Sequence, residues 1–270
     1  MVQNYVNQIN KNGYTIIPNI ISAKECERYK KLCEKTYDNY SARYVTSKEV
    51  GGLADKSLEK VVYNLHNKDL GWFKLFNNKI VIKILEIILK EGSYKKNEPY
   101  YLNNISARCP LKGNPGQQIH LDSNLPGINY NIVTNVIWYF DDVNEENGTT
   151  IVVPGSHRFL RYADNSKKIK NKVYINAKKG SVLILNANTW HGGSAKKNDA
   201  SRWALVLGYA RWFIKPSFNY MENTPREIYD KLTKKQKSIL GFDLIPPKDE
   251  FTRVTRRSKY FEVPKKYILK

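Results

Sequence analysis

Apolar residues recur along this chain with two different periods, and the change between them falls near residue 100. Ahead of that point a period near 3.6 dominates. Cys26, Tyr29, Cys33 and Tyr37 are spaced as one face of a helix and predict a core-facing stripe. Ser22-Ala23-Lys24-Glu25 supplies its start, with Ser22 as N-cap and Glu25 reaching back to close a capping box. Gly13-Tyr14-Thr15-Ile16-Ile17-Pro18 reads as a turn leading into a short strand. A second helix is expected over residues 79–91, with Ile80, Ile84, Ile87 and Ile88 on its apolar side and Gly92 as its stop. Residues 43–60, polar and containing Gly51-Gly52, read as a loop covering a site. His66 beyond it is expected to be structural rather than a ligand.

From Tyr100 the pattern turns to short β-prone runs. Residues 100–109, the stretch ending in His120, and residues 135–140, 149–153, 181–185 and 202–213 are the expected strands. Turn-forming clusters at 112–116, 141–148 and 154–157 separate them. Many short strands punctuated in this way predict a sandwich or barrel. Thr224-Pro225-Arg226-Glu227 reads as a further capping box, with Pro at the first helical position and Gly241 closing the helix. Residues 245–270, basic and aromatic, are expected to form an extended tail.

Composition changes this picture little. At 270 residues the chain can bury a substantial core. No run approaches the roughly 18 apolar residues that span a bilayer, so no membrane span is expected. The N-terminal residues lack the apolar core of a signal peptide. Cys26 and Cys33 lie about 10 Å apart along a helix axis, too far for a bridge, and Cys109 is left over. A cytoplasmic, reducing location fits best. The net charge of +20 is the loudest feature. A nucleic-acid footprint should cluster on one face, but the lysines are spread from end to end among Asn and Ile. Compositional bias is the simpler reading, with nucleic acid bound only non-specifically.

The chemistry sits in Gln118-Ile119-His120-Leu121-Asp122 and in Thr189-Trp190-His191. Side chains two apart in a strand share a face. His120 and Asp122 can therefore reach one point while Ile119 and Leu121 pack behind. With His191 from another strand they make two imidazoles and one carboxylate, the facial set of non-haem Fe(II) oxygenases.

Four blocks carry a resemblance to a known family. They are Pro115-Gly116-Gln117-Gln118-Ile119-His120-Leu121-Asp122, Trp138-Tyr139-Phe140-Asp141-Asp142, the run from Glu146 through Pro154-Gly155-Ser156-His157-Arg158, and Gly180-Ser181-Val182-Leu183 leading to Trp190-His191-Gly192-Gly193. In order and spacing the chain resembles the phytanoyl-CoA dioxygenase family of Fe(II)- and 2-oxoglutarate-dependent oxygenases. The resemblance implies a mainly β fold, a double-stranded β-helix or cupin-like jelly roll with flanking α-helices. One domain would then span residues 1–270: a helical part to about 95, a jelly-roll core over about 100–215, and a C-terminal helix and tail over 222–270.

It further implies that His120, Asp122 and His191 hold iron, with 2-oxoglutarate and O₂ as co-substrates. Arg202, eleven residues after His191, would bind the distal carboxylate of 2-oxoglutarate, with Arg211 as the fallback. Gln118, on the face of His120, is a candidate co-substrate contact, and His157 belongs to a structural turn. Family members often carry a hydroxyl residue where this chain has Gly193; Ser194, Ser201 or a water are the replacements considered. The implied reaction is hydroxylation of an unactivated C–H bond in a small organic metabolite, anionic if the charge matters, with release of succinate and CO₂. The alternatives are a nucleic-acid dealkylating oxygenase of the same superfold and a catalytically silent cupin-like binding protein. Specificity is expected in the 43–60 loop, the 123–134 segment and the tail.

Overall fold

The computed structural model describes residues 1–39, 57–91, 100–123, 125–128, 130–244 and 249–251. The N-terminal layer comprises α1 (Val2–Asn12), β1 (Tyr14–Ile17) and α2 (Ala23–Asp38), followed by β2 (Glu59–Tyr63), α3 (Phe73–Phe76) and α4 (Lys79–Ile88). The capping box at α2 is present as expected, with the Ser22 side chain accepting from the Glu25 N–H and Glu25 accepting from the Ser22 N–H. Cys26, Tyr29 and Cys33 are buried, and Tyr37 packs against the same core. All three cysteines are free, and burial pushes the Cys26 thiol up to about 11.

Eight further strands follow: β3 (Tyr100–Pro110), β4 (Gln117–His120), β5 (Val133–Tyr139), β6 (Thr150–Val152), β7 (Val173–Tyr174), β8 (Val182–Asn186), β9 (His191–Gly193) and β10 (Ala204–Arg211). They form two antiparallel sheets. The larger runs β1-β8-β5-β10-β3-β2 and the smaller β4-β9-β6-β7. This is the expected jelly roll with flanking helices. Strands of the larger sheet are covered on both faces, which is why β5 reads as an unbroken buried run. One face packs on the helices through Trp138, Leu205 and Leu207. The other turns towards the smaller sheet, where Ile137 and Leu183 cluster with Val152 of β6.

Several expectations need correction. Ile87 is exposed, whereas Ile84 and Ile88 are buried, so the apolar stripe of α4 is narrower than its four isoleucines imply. Residues 43–56 of the expected 43–60 loop lie outside the described residues, and its end is strand instead. Glu59 and Lys60 open β2 and pair with Pro110 and Cys109; partner strands, not local composition, make an edge like this extended. The single helix over 224–241 is in fact two short ones preceded by a turn. After α5 (Tyr220–Asn223), the Thr224 hydroxyl donates back to the Tyr220 carbonyl and caps nothing. α6 (Arg226–Tyr229) is one turn long, and α7 (Lys234–Ile239) starts afresh with its own capping box, Thr233 with Gln236. Apart from 249–251, the 245–270 tail lies outside the described residues. Among the described residues no helix is long and apolar enough to cross a membrane.

Candidate metal and co-substrate site

The smaller sheet brings the histidines together. β4 and β9 pair with His120 directly opposite His191, and their rings sit 4.4 Å apart between centroids. Gly192 permits this closeness, since a Cβ there would meet the Gln117 carbonyl oxygen at 2.6 Å. Asp122 lies just past the end of β4, its N–H donating to the Ala187 carbonyl at 2.9 Å. Ile119 and Leu121 pack behind, against Ile151, Val153 and Trp190.

One ligand atom from each of His120, Asp122 and His191 can be chosen so that all lie within 4.8 Å of one another. His120 Nε2 is 3.3 Å from Asp122 Oδ1, and His191 Nε2 is 3.2 Å from Asp122 Oδ2. Both Nδ1 atoms face backbone carbonyls, that of Gln118 at 2.8 Å and that of Thr189 at 2.9 Å. A nitrogen facing a carbonyl must carry the proton. The two Nε2 lone pairs are thereby turned on carboxylate oxygens, where acceptor meets acceptor unless positive charge lies between. Burial alone would raise the pKa of Asp122, but His191 and His120 beside it hold the carboxyl well below its usual range. Where that positive charge is a proton on Nε2, its hydrogen bond to Asp122 holds His120 above the usual imidazole value. The fit to a divalent metal is therefore good: both rings are fixed by their far nitrogens, and all three donors point at one place. Asn135 on β5 donates to Asp122 Oδ2 at 2.5 Å and orients the carboxylate.

The group opens onto a cavity of about 470 Å³ between the sheets, which Arg202 also lines. Arg202 is buried, with its guanidinium carbon 5.7 Å from the centre of the Tyr139 ring, and its Nε has no partner. Burial lowers its pKa from the ordinary arginine value. The segment holding it is tied down on both sides by Asp141, which accepts from the Ser201 hydroxyl and the Trp203 N–H, both at 2.9 Å. Arg211 is buried elsewhere, bonded to the carbonyls of Asn131 and Glu91, and does not line the cavity.

Gln118 departs from its expected place. Its side chain is exposed and outside the cavity lining, which Gln117 joins instead. The β4–β9 register shifts between Gln117 and His120, and such an irregularity breaks the two-residue alternation. Only the Gln118 carbonyl serves the site. Of the hydroxyls considered beside Gly193, Ser194 donates to the Glu145 carbonyl and Ser201 to Asp141. His157 stays with its turn, bonded to the Asn10 carbonyl, and His66 is buried against Tyr220 and Asn223. Sequence reasoning missed Asn135 and the Arg108–Glu59 pair, which meet at 2.8 Å on the cavity wall. An Asn inside an otherwise apolar strand was the available signal for the first.

Fold and site together define a class, a jelly roll in which two histidines and an aspartate lie close enough to hold a metal ion. The chain belongs to the phytanoyl-CoA dioxygenase (PhyH) family, whose sequence profile matches residues 9–204. Dioxygenase af480 of Aspergillus fumigatus is 23% identical over 243 residues, covering 88% of this chain and 76% of that protein. The chain spans about half the length of other relatives, among them two uncharacterized mycobacterial proteins matched over 46% of theirs. Among solved structures, the epimerase SnoN in complex with Fe³⁺, alpha ketoglutarate and nogalamycin RO superposes with a TM-score of 0.64 at 16% identity, over 83% of this chain and 90% of SnoN. HygX from Streptomyces hygroscopicus, with nickel, 2-oxoglutarate and hygromycin B bound, gives 0.63 at 16%, over 80% and 90%. At such identities the likeness establishes the fold.

Proposed function

We propose that this protein is an Fe(II)- and 2-oxoglutarate-dependent oxygenase that hydroxylates a C–H bond of a small organic metabolite. The observation that carries this reading is the pair of imidazole lone pairs aimed at the Asp122 carboxylate with both Nδ1–H groups already engaged. His120, Asp122 and His191 would occupy one face of the metal and leave the opposite positions open. Bound there, iron supplies the activation of O₂ that couples decarboxylation of 2-oxoglutarate to removal of hydrogen from an unactivated C–H bond.

The chain's own residues do the rest. Gln118 and Thr189 carbonyls fix the tautomers, and Asn135 keeps Asp122 turned to the metal. Arg202 takes the distal carboxylate of 2-oxoglutarate; a planar guanidinium suits two parallel hydrogen bonds to a carboxylate. The small-molecule scale is supported by the cavity's size and by the natural products named in the SnoN and HygX structures. The test is anaerobic loading with Fe(II), followed by metal analysis and succinate release. Wild-type protein should hold one iron per chain and His191→Ala should lose both iron and turnover. Unchanged iron content in that variant would refute the assignment.

A further inference from the structure

The buried Arg202 guanidinium has an aromatic seat but, among the described residues, no ion-pair partner. Tyr139 on β5 lies directly opposite Ala204 of β10. Arg202 stands two residues ahead of Ala204, which puts it on the same face of the sheet and diagonal to Tyr139. Tyr139 is fully buried and does not itself line the cavity. Its ring is the surface on which the guanidinium rests, 5.7 Å from carbon to ring centre. A ring face attracts a cation through its quadrupole and takes up none of its N–H donors. A carboxylate in the same place would occupy those donors and cancel the charge that an anionic ligand needs.

The other end of the same side chain reaches the smaller sheet. The Tyr139 hydroxyl donates to Thr150 Oγ1 at 3.1 Å, and burial raises the phenol pKa, so the proton stays on. Thr150 on β6 pairs directly with Gly193 of β9, and both line the cavity together with Arg202. The hydroxyl that position 193 lacks is therefore present one strand over. A hydroxyl carries one hydrogen and two lone pairs. With the Tyr139 proton on one lone pair of Oγ1, the hydrogen of Thr150 is left for a different acceptor. We propose that Tyr139 is a positioning residue for the co-substrate: its ring seats Arg202, and its hydroxyl holds Thr150, whose own O–H donates to the same distal carboxylate in place of a hydroxyl at position 193. The inference rests on the reading of Arg202 given above.

The experiment titrates full-length, Ni(II)-loaded protein calorimetrically with 2-oxoglutarate and with 2-oxobutyrate, which keeps the chelating keto acid but has no distal carboxylate. Tyr139→Leu should weaken 2-oxoglutarate binding about thirtyfold, and Tyr139→Phe, which keeps the ring, about threefold. Thr150→Val should cost about tenfold. Adding Tyr139→Phe to Thr150→Val should cost nothing more, because the phenol hydroxyl acts only through Thr150. Affinity for 2-oxobutyrate should stay unchanged throughout, a result that a merely structural role would not produce. If Tyr139→Leu does not fold, Tyr139→trifluorophenylalanine keeps the ring's shape while draining its negative face, and should bind 2-oxoglutarate more weakly than Tyr139→Phe. Unchanged 2-oxoglutarate affinity in Thr150→Val or in the ring variants, or parallel losses for both acids, overturns the inference. Wild-type protein that does not bind 2-oxoglutarate, or Arg202→Met that binds it normally, shows instead that the reading beneath has failed and takes the inference with it.

Discussion

At the scale of single residues, the two late arginines separate cleanly. Arg202 faces the cavity with an unpartnered Nε, while Arg211 is held by backbone carbonyls at the far end of β10. Arg202→Met should weaken 2-oxoglutarate binding by about 2–5 kcal/mol, the penalty for leaving a buried carboxylate without its cation. Arg211→Met should cost stability but little co-substrate affinity; titration calorimetry with 2-oxoglutarate distinguishes them. His66 offers a second prediction. Burial depresses its pKa from 6.5 to about 4, against the hydrogen bond that its Nε2–H donates to Asn223 Oδ1. In the unfolded chain it takes a proton below about 6.5, whereas in the fold it resists until about 4, so the unfolded state binds more protons in between. Its contribution is present above pH 6.5 and is lost as the pH falls to 4, on the order of 3 kcal/mol in all. Chemical denaturation across that window should show a slope that flattens in His66→Gln.

At the scale of elements, helix α2 sets the position of the segment that carries Arg202 into β10. Lys30 on α2 meets Asp141 at 2.6 Å, and Glu34 accepts from the Trp203 indole N–H at 2.6 Å. Asp141 in turn holds Ser201 and the Trp203 backbone. Asp141→Ala leaves the half-buried Lys30 and a buried N–H without partners, which should cost about 2–4 kcal/mol of stability. Because the 201–203 segment is loosened, the apparent KM for 2-oxoglutarate should also rise, by less than in Arg202→Met. A melt combined with steady-state kinetics checks both effects; a stability loss with unchanged KM would remove α2 from the positioning of Arg202.

For the whole molecule the question is the +20 charge. Lysines on separate elements pair with carboxylates around the surface: Lys74 with Glu25, Lys112 with Asp199, Lys178 with Asp142, Lys197 with Glu146. Exposed pairs of this kind contribute at most about 1 kcal/mol each, and their dispersal fits compositional bias. Nucleic acid should then bind only through counterion release, weakening steeply with salt. Fe(II)-loaded protein incubated with methylated single-stranded DNA or RNA should yield no formaldehyde at either low or high salt. Formaldehyde formed in step with succinate, and absent from His191→Ala, would move the substrate class to nucleic acid.

What the sequence alone determined is whatever depends on neighbours along the chain. The capping box of α2 needs only Ser22 and Glu25 three residues apart, and the β-rich second half is written in turn clusters and β-branched runs. The donor types His120, Asp122 and His191 were legible because their chemistry is narrow. The tertiary structure decided whatever depends on partners brought from elsewhere. The bulge beside His120 turned Gln118 outward, and Thr224 found a carbonyl rather than a helix to cap. Asn103 acquired its place only because Gly208, a hundred residues on, has no side chain to exclude it. Register and close approach arise between strands distant in sequence, and local periodicity carries no record of them.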